Sequence, residues 1–180
     1  TYSHPHHGGF RLRHQPALYT GCRGSRCHGP APGHPHRHRY QLAGITKPGL
    51  AKLGGTVLCY MADLEVAATA KAVGTTRAVA SMHHAAEEPP SAILAVGNAP
   101  TALLAIVEEP EPWLRPAPVI GVLVDFVNVV ESKERLLAAC GVPAIVATGR
   151  KGGSNVATAI CNTLVYSAAK KLDPAARGWK

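Results

Sequence analysis

The run Gly149-Arg150-Lys151-Gly152-Gly153-Ser154 carries the densest chemistry in the chain. Its glycines leave backbone N–H groups open, a helix beginning at its end adds partial positive charge, and two cations complete a receptor for anions. It is not a Walker-type phosphate loop, because the G-x-x-x-x-G-K-[ST] spacing is absent. A glycine-rich strand-to-helix turn with solvated cations would read the same way. Glu131-Ser132-Lys133 is a second polar cluster, at a predicted helix start where caps and surface ion pairs are common. Asn98 stands where it would cap the helix behind it, and Arg77 reads in isolation as a solvated helix-face charge. Cys59, Cys140 and Cys161 lie on apolar stretches and read as core thiols.

Alternating elements must position these groups. Thr56–Met61, Ala92–Val96, Pro118–Val124 and Ala144–Thr148 are short apolar runs with strand character. Between them lie helical patterns: one from Asp63 to its stop at Gly74, then Thr75–Glu88, Thr101–Glu109 and Glu131–Cys140. A long last helix places Val156, Ile160, Leu164 and Ala168 on one face. Strands that are apolar throughout and alternate with helices predict a three-layer α/β/α fold around a mostly parallel sheet. Ligands of such sheets sit beyond the carboxyl ends of the strands, here Ala62-Asp63, Gly97–Thr101, Asp125–Lys133 and Gly149–Ser154.

Across 180 residues, 46% hydrophobic and 17% charged content exclude a wholly disordered chain. No apolar run approaches the ~18 residues of a membrane span, and the first residues lack a signal peptide's apolar core. Five cysteines, an odd number, fit reduced thiols in a cytoplasm rather than a disulfide framework. The net charge of +8 is unevenly placed. Residues 1–41 hold eight of the ten histidines, six arginines, five prolines, no lysine and no acid. They are expected not to fold alone, leaving 42–180 as the α/β domain. The basic excess therefore belongs to the first segment and gives no nucleic-acid footprint to the rest.

Six blocks in order define a resemblance: A-G-I (43–45), L-G-G-T-V-L-C-Y-M (53–61), G-T-T-R-A-V-A-S-M (74–82), A-V-G-N-A-P-T-A-L (95–103), V-I-G-V-L-V-D-F-V-N-V-V-E-S-K-E (119–134) and G-R-K-G-G-S-N-V-A (149–157). Over residues 43 to about 170 the chain resembles the precorrin-8X methylmutase (cobalt-precorrin-8 methylmutase) family of cobalamin biosynthesis. The resemblance implies a cytoplasmic, homodimeric isomerase that uses no cofactor and no metal. Such an enzyme moves a methyl group from C-11 to C-12 of a corrin precursor, giving hydrogenobyrinate or cobyrinate. A flat macrocycle fringed with carboxylates suits cationic forks and helix N-termini. On that reading Arg77, Asn98, Thr101, Glu131, Ser132, Lys133, Arg150, Lys151, Gly152 and Gly153 are the expected substrate-binding residues.

The family's catalytic histidine lies in an I-H-T-T-type motif before A-G-I, and this chain has no such motif, so no catalytic residue is assigned. One base out of register, G-H-P-H-R-H-R-Y-Q (33–41) permits the family's G-T-P-I-V-T-D-T-N. The same shift on residues 2–10 permits V-I-H-T-T-G-D. Residues 1–41 thus read as an out-of-frame translation, whose lost strand is expected to leave a gap or a raw edge in the sheet. Leu64, Leu123 and Asp125 also depart from the family's usual Pro, Pro and Gly. Two other readings stand beside the enzyme: a corrinoid-binding relic without turnover, and a metal- or nucleic-acid-binding arm. In the latter, Cys22, Cys27, His28, His34, His36 and His38 would hold zinc and the arginines phosphates.

Overall fold

A computed structural model describes residues 17–21, 44–86, 93–108, 118–124, 127–138 and 143–169. Among these residues five parallel strands form one sheet: β1 Ala17–Gly21, β2 Thr56–Leu58, β3 Ile93–Val96, β4 Val119–Gly121 and β5 Ala144–Val146, in the order β2-β1-β3-β4-β5. Among the described residues six helices accompany them: α1 Lys47–Ala51, α2 Leu64–Val73, α3 Arg77–Ala86, α4 Pro100–Glu108, α5 Val129–Ala138 and α6 Ser154–Ala168.

Side chains of a strand point alternately to the two faces of the sheet, and the core divides accordingly. Leu94 and Val96 join one apolar cluster with Met82 of α3, Leu103 of α4 and Leu136 of α5. Ile93 and Ala95 join the other, with Leu50 of α1 and Ala157, Cys161 and Val165 of α6. This is the expected three-layer α/β/α arrangement. α2 lies outside the layers, setting Val66 and Ala70 against Ala80 of α3.

Local chemistry explains the boundaries. Asp63 Oδ1 accepts from Glu65 N at 2.8 Å, capping α2, and Gly74 ends it in the left-handed conformation at φ 71°. Pro100 opens α4, where its missing N–H costs nothing. Leu64 occupies the first position of α2, also a favoured proline site, and is 84% exposed, so this departure disturbs no core. Leu123, by contrast, is fully buried, and Asp125 lies outside the described residues.

The expected gap in the sheet is not there. β1 fills the place between β2 and β3, with Leu18 beside Val57 on one side and Ile93 on the other. Ala17–Cys22 is the longest stretch of 1–41 free of Arg, His and Pro, so every N–H in it is available to a ladder. The rest of 1–41, with its cysteines and histidines, lies outside the described residues.

The face of α6 also differs from its spacing. Ala157, Cys161 and Val165 turn to the sheet, Ile160 and Leu164 flank them, and Val156 is 37% exposed. Small side chains at 157 and 161 let the helix approach closely. Asn162 fastens the same helix, accepting from Thr46 N at 2.8 Å and donating to Gly44 O at 2.9 Å.

Candidate functional site

The strands are parallel, so their carboxyl ends share one edge of the sheet. A cavity of about 430 Å³ lies there. Its wall is built from the starts of three helices: Thr76, Arg77 and Ala78 at α3, Ala99, Pro100 and Thr101 at α4, and Val127 and Asn128 at α5. Met61 and Leu104 complete it. Helix N-termini carry unsatisfied N–H groups and about half a positive charge each. Among the described lining residues Arg77 is the one that carries a formal charge, which gives a mostly apolar cup a positive bias.

Hydroxyls tie the wall together. Thr76 Oγ1 accepts from Val79 N at 3.2 Å, capping α3, and lies 3.2 Å from Thr101 Oγ1 on α4. Ser81, buried on α3, donates to Arg77 O at 2.6 Å and rests 3.2 Å from the sulfur of Met61. Asn128 holds φ 59°, a left-handed conformation that Asn tolerates better than most residues. Its carbonyl accepts from Ser132 N at 3.0 Å.

The 149–154 loop joins this edge beside the end of β4. Gly152, at φ 153°, lies so close to the chain leaving β4 that a Cβ there would stand 2.2 Å from Val122 O and 2.4 Å from Leu123 O. Gly153 N donates to that same Val122 oxygen at 2.6 Å. Arg150 and Lys151 are exposed on the loop.

Among the expected substrate residues, Arg77 and Thr101 line the cavity, and Asn98 directly precedes its Ala99 wall. Arg150, Lys151, Gly152 and Gly153 form the neighbouring loop. The 131–133 cluster is engaged with the protein itself. Glu131 pairs with Arg135 at 2.7 Å, and Arg135 also holds Glu108 of α4. Ser132 Oγ donates to Val129 O at 3.0 Å inside its own helix. Lys133, 1% exposed, donates to Gly149 O at 2.8 Å and Lys151 O at 2.9 Å, and burial lowers its pKa. Thr76 and Asn128 escaped the sequence reading, although both stand inside its family blocks.

No histidine lines the cavity among the described residues. Nor do those residues contain a group of three or more His, Cys, Asp and Glu placed to hold a metal. None of the described helices is long and apolar enough to cross a membrane.

Comparison with known proteins follows the same residues. The precorrin-8X methylmutase family profile matches residues 39–167. The cobalt-precorrin-8 methylmutase of Salmonella typhimurium is 45% identical over 126 residues, 69% of this chain and 58% of that protein. That of Priestia megaterium is 44% identical over 122 residues, covering 67% and 54%. The chain therefore spans little more than half the length of these two relatives. The crystal structure of precorrin-8X methyl mutase from Thermus thermophilus superimposes with a TM-score of 0.70 at 34% identity, covering 89% of this chain and 70% of that one. A match over most of the chain, with the same fold beneath it, establishes that the chain belongs to the precorrin-8X methylmutase family.

Proposed function

We propose that this chain binds precorrin-8X or cobalt-precorrin-8 and carries its methyl group from C-11 to C-12, as a cytoplasmic homodimer. Substrate and product are isomers: the C-11 to methyl bond breaks, the C-12 to methyl bond forms, and electrons balance within the macrocycle. The observation that carries the reading is the cavity itself. Three helix N-termini and one guanidinium surround an apolar cup, with a second cationic loop beside it. Apolar walls suit the ring, and the positive rim suits its carboxylates.

The experiment is an absorbance titration with hydrogenobyrinate, run beside a turnover assay on precorrin-8X. Micromolar binding with isomerisation supports the enzyme. Binding without isomerisation supports a corrinoid-holding protein, a reading favoured by the absence of histidine from the cavity wall among the described residues. Reversing Arg150 and Lys151 to Glu should weaken binding at least tenfold, since two attractions become repulsions. Unchanged affinity would remove that loop from the site.

The same reading takes residues 1–41 as an out-of-frame translation of a methylmutase gene, with the frame restored near Leu42. The family match begins at residue 39, close to that point. Sequencing the coding DNA tests it: codons that spell V-I-H-T-T-G-D and G-T-P-I-V-T-D-T-N one base away support it. Codons that spell them in no frame leave a true His/Arg-rich arm, for which zinc and salt-dependent DNA binding become the next measurements.

A further inference from the structure

Lys133 is the only charged residue among those described that is fully buried. Removing an ammonium from water is costly, and an apolar residue of similar length would fill the space under α5 without that cost. Its charge is spent on one short loop. Nζ binds the carbonyls of Gly149 and Lys151, one on each side of Arg150. Across a trans peptide the C=O and the following N–H point in opposite directions, and no described peptide is cis. Turning the Gly149 carbonyl toward Lys133 therefore turns the Arg150 N–H away from it, and the Lys151 carbonyl does the same to the Gly152 N–H. The far side of the loop is pinned just past β4 through Gly153 N and the Val122 oxygen.

We infer that Lys133 is a positioning residue: its clamp on two carbonyls presents the Arg150 and Gly152 amides, with the Arg150 and Lys151 cations, as a receptor for one carboxylate of the ligand. The carboxylate belongs to the macrocycle only if the function proposed above holds. Lys133 itself touches no ligand.

The test uses the full chain with Lys133→Met, which keeps length and removes every donor. Trypsin cuts after Arg150 and Lys151, and mass spectrometry compares nicking there with nicking after Lys71, exposed on α2. The expected result is about a tenfold rise confined to 150 and 151, because a held loop resists cleavage. In parallel, the dissociation constant for hydrogenobyrinate should rise about tenfold. That loss should shrink in an Arg150→Met background, which removes one of the presented cations and keeps both amides, as coupled residues require. Nicking that is unchanged, or raised equally at Lys71, overturns the clamp, as does a binding loss of the same size with or without Arg150. Selective nicking in a protein whose parent binds no hydrogenobyrinate upholds the clamp and overturns the macrocycle instead. Should Lys133→Met fail to fold, Lys133→Gln, with a shorter donor, is read by the same criteria, with smaller shifts expected.

Discussion

Gly149 and Gly152 are three residues apart in the same loop and are held for different reasons. Gly149 sits at φ 69° with open space around its α-carbon, so a Cβ there meets only the left-handed penalty. Gly149→Ala should cost about 1 kcal/mol. Gly152→Ala drives a Cβ into the carbonyls of Val122 and Leu123, just past β4, and should cost several times more, on the order of 3 kcal/mol. Paired urea melts measure both. Cys161 offers a second residue-level prediction. Burial pushes its thiol from the ordinary 9.0 up to about 12, against a smaller opposing backbone hydrogen bond. Below pH 9 the folded and unfolded thiols are both protonated and the stabilisation is complete. Between about 9 and 12 only the unfolded thiol ionises, so stability falls as pH rises, by up to roughly 1.4 kcal/mol per unit. Wild type should show that slope between pH 9.5 and 10.5 (about these limits) and Cys161→Ala should lack it. The sequence put Arg77 and Thr101 at a strand-end edge, and both line the cavity there. It read Lys133 as a ligand cation because nothing in linear order reveals carbonyls sixteen and eighteen positions away.

Elements were more legible where a single residue decides them. Asp63, Gly74 and Pro100 mark helix boundaries by their own chemistry, and the structure places those boundaries there. Strand lengths were not: Pro118–Val124 reads as one apolar run, yet only Val119–Gly121 pairs. Ladder length depends on the neighbours: β5 spans just Ala144–Val146, and past Gly121 only Val122 N still reaches β3, at Val96 O, 3.0 Å away, while Val122 and Leu123 stay buried. The orientation of α6 was hidden for a related reason. Spacing by four fits both Val156-Ile160-Leu164-Ala168 and Ala157-Cys161-Val165, and only the distance to the sheet selects the smaller set. Ala157 is fully buried, so Ala157→Leu should overpack the interface and cost about 1–3 kcal/mol. Ala168→Leu, on an exposed position, should stay within about 0.5 kcal/mol. Chemical denaturation of the two variants distinguishes this face from the one that spacing alone suggests.

The whole molecule follows from alternation: apolar strands interleaved with helices allow little besides a covered parallel sheet, and that much was readable in residues 42–180. The seat of β1 was not, because the Arg, His and Pro around Ala17–Gly21 mask a short stretch able to pair. Both edges of that strand are used, so Tyr19→Pro, which deletes an N–H and imposes a proline ring between β2 and β3, should cost on the order of 3 kcal/mol. A thermal midpoint within about 2 °C of wild type would show that β1 contributes nothing to the cooperative unit. The strand order has a consequence in time as well as in space. Leu18 is synthesised early, but one of its neighbours is Ile93. At about 5–20 residues per second, translation delivers β3 several seconds after β1 has left the ribosome. During that interval the first strand has no β3 to pair with, and closure of the sheet is limited by synthesis rather than by any local step. Codon changes that slow elongation between β2 and β3 would lengthen the exposure, and the yield of folded chain would fall while its final stability stayed the same.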